Sequence, residues 1–177
     1  MPETPRCGRL CITIGRMRGL VALCVFIALV AGVAFFGAQF TPGEWYQSLR
    51  RPPLTPPNWL FGPVWSLLYL AIAVGAFLVW RSPDRSGVGL GLGLWAAQLV
   101  LNALWSYLFF GLNRPGLALV EIIVLLAVII ATTVVFFSIR RPAGVLFVPY
   151  ALWVGFATYL NAGFWFLNRG GAIAPGS

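Results

Sequence analysis

The chain has 177 residues and contains no histidine and no lysine. Without histidine it can form neither a Ser-His-Asp triad nor the usual imidazole ligation of haem, copper or zinc. Without lysine it cannot form a Schiff base with a carbonyl substrate. Its three cysteines, Cys7, Cys11 and Cys24, are interpreted as unpaired thiols. We therefore expect no metal site and no resident cofactor.

Charged side chains are also scarce, at 9% of the chain, whereas 60% of the residues are hydrophobic. A soluble domain would carry about 25% charged residues. The apolar residues form five continuous stretches, each long enough as a helix to cross the ~30 Å hydrocarbon layer. These stretches are residues 19–40, 59–80, 88–112, 115–139 and 143–167. Because backbone groups in lipid must bond internally, the sequence predicts an all-α integral membrane bundle of five transmembrane helices.

Three segments lie outside the predicted spans. Residues 1–18 form a basic amino-terminal tail, and residues 169–177 form a carboxyl-terminal tail. Residues 41–58 form the longest connection, in which five prolines oppose regular helix. Long connections of this kind are often functional lids. The candidate lid residues are Trp45, Tyr46, Arg50 and Arg51.

All twelve basic residues are arginines, against four acids, which gives a net charge of +8. In a membrane protein this excess indicates topology rather than nucleic-acid binding. One side of the predicted bundle carries Arg6, Arg9, Arg16, Arg18, Arg81, Arg85, Arg140 and Arg141, and the other carries Arg50, Arg51, Arg114 and Arg169. The positive-inside rule then predicts a cytoplasmic amino terminus. The composition, rich in Arg, Gly, Ala, Leu and Val, points to a bacterial membrane.

Polar and aromatic residues inside the spans recur at helical spacing and at similar depths below the lid side. Counting residues from the span ends gives ~9 Å for Trp65 and Asn161, ~10 Å for Trp105, ~15 Å for Tyr69, Asn102 and Ala157, and ~21 Å for Trp153. Buried amides in lipid need partners, so these faces should turn inward. The pattern predicts a ligand cavity beneath the lid, and the alternative is ordinary core packing. Trp59 and Trp80, at span ends, are interpreted as interfacial belt residues.

Two further features of the spans have open interpretations. Glu121 is the only acid inside a span; it could bind a cation or the polar edge of a ligand, or serve helix packing. Gly89, Gly93 and Ala97 form a ridge of small residues on the third span. Such a ridge favours either a homodimer contact or close packing within the bundle.

Three segments of the chain have distinctive aromatic motifs. They are PPNWLFGPVWSLLY at 56–69, QLVLNALWSYLFFGLNRPGLALVE at 98–121 and PYALWVGFATYLNAGFW at 149–165. These segments resemble the motifs of the TspO/MBR family of tryptophan-rich sensory and translocator proteins. The lid segment Glu44-Trp45-Tyr46 and the pair Arg51-Pro52 also fit, and the resemblance covers roughly residues 20–168.

The resemblance implies a five-helix bundle, usually dimeric, that binds porphyrins, sterols and synthetic aromatic ligands. Matched by position, it assigns ligand contacts to Trp65, Tyr69, Asn102, Trp105, Ser106, Trp153 and Ala157; the depth pattern adds Asn161. It also marks Trp65 and Trp153 as candidate catalytic residues for light-dependent porphyrin breakdown.

Two positions depart from the family pattern in ways that could change the structure. Tyr107 stands where many members have proline, which predicts a straighter end to the third helix. Leu54 replaces a frequent aromatic residue, so we expect the packing of the lid to differ. A short sterol-contact pattern requires a basic residue within five positions of a tyrosine, but Arg169 lies ten positions after Tyr159. The sequence therefore favours sterols less than porphyrins as ligands.

The leading functional hypothesis is a membrane receptor or sensor for protoporphyrin-like, flat apolar ligands, involved in tetrapyrrole handling or stress regulation. The alternatives are a light- and oxygen-dependent porphyrin-degrading enzyme, a tetrapyrrole or sterol transporter, and a regulatory partner of another membrane protein. No general acid or base is arranged for the enzymatic alternative. We expect the partners to be the ligand, the lipid bilayer and a second copy of the chain.

Overall fold

The computed structural model describes residues 6–40 and 42–170, with side chains described from residue 16 onward. The elements are α1 (Arg6–Ala38), α2 (Glu44–Ser48), α3 (Asn58–Trp80), α4 (Val88–Ser106), a π-helical turn (Tyr107–Gly111), α5 (Pro115–Ile139) and α6 (Arg141–Asn168). No strand occurs among these residues. Five of the helices are long and apolar enough to cross a membrane. The prediction of an all-α, five-span membrane protein is therefore confirmed.

The observed helix limits differ from the predicted spans mainly at the amino terminus. α1 begins at Arg6, inside the segment interpreted as a tail, and its apolar part covers Arg16–Ala38. α5 coincides with the predicted fourth span. α6 begins at Arg141, because proline in the first turn of a helix needs no backbone N–H partner and Pro142 therefore does not delay it. Residues 1–5, 41 and 171–177, which belong to the predicted tails and lid, lie outside the described part.

α6 forms the centre of the packing, since it contacts both α5 and α3 along much of its length. α4 packs against α5, and α1 packs at the edge against α3 and α4. The core of the half of the bundle remote from the lid consists of fully buried apolar side chains, among them Ile72, Ile129, Phe136 and Phe147. This packing fixes the helices on that side, so the open space in the molecule lies at the opposite end.

The third span does not end as a straight helix, which corrects the expectation drawn from Tyr107. The backbone forms a π-helical turn from Tyr107 to Gly111, in which the N–H of Leu112 donates to the carbonyl of Tyr107 at 2.8 Å. The extra residue in this turn rotates the aromatic side chains that follow it, as π turns commonly do at functional sites. Phe109 is consequently buried, with 2% of its surface exposed.

The connection between α1 and α3 contains one short helix, α2, although the prolines exclude longer helical structure. Residues 43–51 are free of proline, and the N–H of Gln47 donates to the carbonyl of Gly43 at 3.2 Å. Leu54, the second departure from the family pattern, has a φ of 63° and is 79% exposed. Its side chain therefore contributes little to the packing of the lid, and its backbone adopts a conformation that disfavours branched side chains.

Candidate ligand cavity

A cavity of about 540 Å³ lies under the lid, at the ends of α1, α3, α4 and α6. Tyr46 of α2 lines it from the lid side. Its solvent-accessible mouth is marked by four exposed lining residues: Ala38, Pro42, Asn58 and Gly62. The volume is within the range of about 300–1,000 Å³ that is typical of small-molecule sites.

The eight predicted ligand-binding residues all line this cavity. They are Trp65 and Tyr69 on α3, Asn102, Trp105 and Ser106 on α4, and Trp153, Ala157 and Asn161 on α6. Helical spacing places each group on one face, and antiparallel neighbours bring the three faces to the same depth. The structure thus brings together residues that the sequence separates by almost a hundred positions.

Aromatic rings form two flat walls in the cavity. The rings of Trp65 and Tyr69 lie 5.2 Å apart with 33° between their planes, on α3. Trp105 of α4 stacks on Phe109 of the π-helical turn, with 5.3 Å between ring centres and 26° between the ring planes. Such near-parallel pairs present broad apolar faces to a planar molecule.

Asn102 anchors the polar floor of the cavity through a chain of side-chain hydrogen bonds. The hydroxyl of Tyr69 donates to Oδ1 of Asn102 at 3.0 Å, and Nδ2 of Asn102 donates to the hydroxyl of Tyr150 at 3.3 Å. That hydroxyl donates in turn to Oε1 of Gln98 at 2.8 Å. This series of hydrogen bonds links α3, α4 and α6, so it fixes the position of the Tyr69 ring relative to the other walls.

Asn161 holds the Trp105 wall in place from α6. The indole N–H of Trp105 donates to Oδ1 of Asn161 at 2.9 Å, and Nδ2 of Asn161 donates to the carbonyl of Pro115 at 2.8 Å. Pro115 begins α5, so this one side chain connects α4, α5 and α6. The amides of Asn102 and Asn161 therefore find their partners in aromatic N–H and O–H groups and in the backbone, as buried polar groups in lipid must.

Two small residues determine how much space remains between the walls. A side chain on Gly37 would lie 3.3 Å from Oγ of Ser106, so glycine at this position lets α1 approach α4 closely. Ala157 of α6 lines the cavity with a single methyl group. Larger side chains at either position would reduce the cavity.

Tyr46 is the buried lid residue that lines the cavity. Its ring is buried and lies 5.3 Å from the ring of Phe164 and 5.5 Å from that of Phe110. The guanidinium of Arg51 lies 5.8 Å from the centre of the Tyr46 ring, within the range of a cation–π contact. Burial raises the pKa of the Tyr46 hydroxyl above its usual 10.0, and the positive charge of Arg51 partly opposes this rise.

The lid is fastened to the end of α6 by backbone contacts. The N–H of Arg50 donates to Oδ1 of Asn168 at 3.0 Å, and Nδ2 of Asn168 donates to the carbonyl of Arg50 at 3.1 Å. Nearby, Pro52 lies directly over Gly163, where an added Cβ would come within 2.5 Å of the proline ring. These contacts explain why a proline-rich segment without long helices keeps a defined position.

The other three predicted lid residues do not line the cavity. Trp45 packs edge-on against Phe109, at 5.9 Å between ring centres, and does not line the cavity. The side chains of Arg50 and Arg51 do not line it either. All four residues lie in the connection between α1 and α3, and their residue types alone could not show which of them faces inward.

Glu121 lies on α5 and does not line the cavity. It is 8% exposed, and both of its carboxylate oxygens are buried without a hydrogen-bond partner among the described residues. Gln98 Nε2 is likewise buried without a partner there. The structure therefore separates the only acid in the spans from the ligand space.

The ridge of small residues on α4 faces outward. A Cβ at Gly89 or Gly93 would meet nothing within 4 Å, and Ala97 is exposed. The ridge is therefore not used for packing within the bundle.

Sequence reasoning missed Tyr150, which is fully buried and links Asn102 to Gln98. The signal was present, because Tyr150 lies one helical turn before Trp153 on the same stripe of α6. It also missed the contribution of α1, whose lining residues are Ala34, Gly37 and Ala38. No pattern distinguishes these from the small residues elsewhere in that helix.

Comparisons with known proteins agree with this architecture. The TspO/MBR family model matches residues 24–166. The chain is 39% identical over 152 residues to Protein CrtK of Rhodobacter capsulatus, covering 85% of this chain and 95% of the relative. It is 39% identical over 141 residues to the Translocator protein of Bos taurus, covering 76% and 83%. It is 40% identical over 145 residues to the Tryptophan-rich protein TspO of Chlorobaculum tepidum, covering 80% and 90%. The chain therefore belongs to the TspO/MBR family, as the resemblance of its three motifs predicted.

Proposed function

We propose that the protein is a membrane receptor or sensor that binds porphyrins of the protoporphyrin IX type, and similar flat apolar molecules, in the cavity beneath the lid. The observation that supports this proposal most strongly is the presence of two aromatic ring pairs in the cavity lining, Trp65 with Tyr69 at 33° between ring planes and Trp105 with Phe109 at 26°. A planar π-system between such walls gains about 0.5–1.5 kcal/mol per aromatic pair beyond the burial of its surface. Several family relatives are named sensory or translocator proteins, which is compatible with a binding role.

The polar groups of the cavity also favour a largely apolar ligand. Both polar atoms of the Asn161 amide are already bonded within the protein, and so is the hydroxyl of Tyr69. A ligand that required many hydrogen bonds would have to break these contacts. A free-base porphyrin core needs few hydrogen bonds. The absence of histidine from the sequence disfavours an axially ligated haem.

The carboxylates of a porphyrin would lie at the mouth of the cavity, near the lid. We assign Arg51 to them, because its guanidinium is held beside Tyr46, a residue of the cavity wall. Arginine is suited to this task because it binds carboxylates with two parallel hydrogen bonds. Arg51→Gln should weaken binding of protoporphyrin IX more than binding of its dimethyl ester, which lacks the charges. An equal effect on both ligands would rule out this assignment.

The proposal is tested by titrating the protein with protoporphyrin IX in the dark. The protein is held in lipid nanodiscs, and binding is measured by the quenching of its tryptophan fluorescence. Trp65→Ala and Trp105→Ala should each weaken binding about tenfold, as expected for the loss of one stacking face. Trp59→Ala is the matched control, since Trp59 lies on the same helix as Trp65 but is 72% exposed. Affinities that are equal in all three variants would place the ligand outside this cavity.

We further propose that two copies of the chain associate through the outward-facing ridge of Gly89, Gly93 and Ala97. Small residues at this spacing let helices from two subunits approach closely in lipid. Replacing Gly93 with Leu should shift the protein toward monomers, measured by light scattering with detergent mass subtracted. Leu90→Ala, at an exposed position beside the ridge, is the control.

The arginine distribution supports an orientation with the amino terminus in the cytoplasm of a bacterial cell. Eight arginines flank the side that carries the beginning of α1 and the α3–α4 and α5–α6 connections, and four flank the lid side. The cavity mouth would then face away from the cytoplasm. To test this orientation, Cys7, Cys11 and Cys24 are replaced and a single cysteine is introduced at Leu54, which is 79% exposed in the lid. A membrane-impermeant maleimide should label this cysteine in intact cells.

A further inference from the structure

A groove runs along the outer surface of the bundle between α3 and α6. Its walls are Val64, Leu67 and Leu68 from α3, and Pro149, Leu152 and Phe156 from α6. All of these side chains are apolar, and Leu67 and Leu152 are each 70% exposed. Because both helices are membrane spans, this groove opens toward the hydrocarbon of the bilayer rather than toward water.

Trp153 is the residue shared by the groove and the ligand cavity, since it lines both. Its indole contacts one aromatic ring on each side. Phe61, which lines the cavity, lies 5.8 Å away in an edge-to-face arrangement, and Phe156, which lines the groove, lies 5.8 Å away at 51°. The Trp153 side chain is therefore a partition between the ligand space and the lipid.

The Trp153 indole lacks the hydrogen bond that Trp95 and Trp105 make. The indole N–H of Trp95 donates to the carbonyl of Ile72 at 3.1 Å, and that of Trp105 donates to Asn161 at 2.9 Å. The indole N–H of Trp153 is buried but has no hydrogen-bond partner among the described residues. A rotation of Trp153 thus breaks no hydrogen bond, and it could relieve the cost of a buried, unbonded donor.

We propose that the α3–α6 groove is a bilayer-facing entrance to the cavity and that Trp153 is its gate. The occupant is the flat apolar ligand of the proposed function, on which this inference rests. Such a ligand partitions from water into the bilayer, so most of it reaches the protein from the hydrocarbon. Entry through a wholly apolar groove avoids transfer back through water to the mouth on the lid side.

The two routes make different kinetic predictions. If ligand passes through the groove, a bulky side chain there must slow association and dissociation by the same factor, because it changes the barrier and neither end state. If ligand passes only through the mouth formed by Ala38, Pro42, Asn58 and Gly62, filling the groove has no kinetic effect.

The test uses two groove variants, Leu67→Trp and Leu152→Trp, in the full chain reconstituted in lipid nanodiscs. Both positions are exposed and neither lines the cavity, so folding and equilibrium affinity should be retained. Leu70→Trp is the matched control, because it places the same side chain on an exposed position of α3 that lines neither space. Stopped-flow mixing with protoporphyrin IX in the dark gives both rate constants.

We expect both groove variants to slow association and dissociation at least about tenfold, with an unchanged dissociation constant and wild-type rates in the control. Wild-type rates in both groove variants would overturn the entrance. If the wild-type protein does not bind protoporphyrin IX at equilibrium, the proposed function itself is overturned. The equilibrium titration precedes the rate measurements, so the two failures can be told apart.

Discussion

The indole nitrogen of Trp105 lies 2.9 Å from Oδ1 of Asn161, across the boundary between α4 and α6. The other polar atom of the same amide donates to the carbonyl of Pro115, at the start of α5. One asparagine side chain thus positions an aromatic wall of the cavity and connects three membrane helices. Stability and ligand affinity should depend on it together.

Asn161→Leu should lower the free energy of unfolding by about 1–2 kcal/mol, since it leaves the half-buried indole N–H of Trp105 and the carbonyl of Pro115 without these partners. It should also weaken ligand binding, because the Trp105 ring is no longer held in its stacked position. Thermal unfolding in detergent measures the first effect. Thr158→Val is the control, since the Thr158 hydroxyl bonds only to its own helix, at the carbonyl of Val154. Equal midpoints for the two variants would contradict this role of Asn161.

Tyr150→Phe should destabilise the protein more than Tyr69→Phe. The Tyr150 hydroxyl is fully buried and joins two amides, so its loss leaves both Asn102 and Gln98 with an unsatisfied polar atom. The Tyr69 hydroxyl makes one bond, beside the open cavity. We expect a difference of about 1 kcal/mol in unfolding free energy. The reverse order would contradict the assigned network.

Gly163→Ala should loosen the lid, because the new Cβ would come within 2.5 Å of Pro52. Dissociation of a bound ligand should become faster, and proteolysis in residues 42–57 should increase. Gly155→Ala is a matched control on the same helix, since its Cβ would meet nothing within 4 Å. The control should be neutral or stabilise the helix by up to about 1 kcal/mol. Identical proteolysis of the two variants would show that the lid is not held at Gly163.

Deprotonation of Tyr46 should release the lid at high pH. Burial raises the pKa of this hydroxyl in the closed lid, so the closed form binds the proton more tightly than the open form. The stabilisation is therefore complete below the usual tyrosine pKa of 10.0 and is lost as the pH rises through the pKa of the closed form. Arg51→Gln removes the opposing charge, so the pKa of Tyr46 should rise further. Ultraviolet difference titration against Tyr46→Phe measures both values, and a lower pKa in Arg51→Gln would contradict this account.

The sequence was sufficient to predict the fold and eight of the residues that line the cavity, and particular residues show why. Hydrocarbon thickness fixes span length, so residues such as Trp65 and Asn102 could be placed at comparable depths by counting alone. Their amides need partners in lipid, which fixed the direction of their faces.

Other features depended on contacts that no local pattern records. The backbone forms a π-helical turn from Tyr107 to Gly111, and the absence of a proline at position 107 did not predict it. Arg51 and Trp45 were placed in the lid, but whether they face the cavity depends on the docking of Pro52 on Gly163. The double role of Trp153 appears only when α3 and α6 are seen side by side.

The central claim is that ligand occupies the space between the aromatic walls, and Ala157→Trp tests it most directly, because it fills that space and leaves every wall residue in place. The measurement is the dissociation constant for protoporphyrin IX in nanodiscs in the dark, compared with Val145→Trp, an exposed position on the same helix. We expect Ala157→Trp to abolish saturable binding and Val145→Trp to bind as the wild type does. Undiminished binding by a folded Ala157→Trp protein would contradict the account.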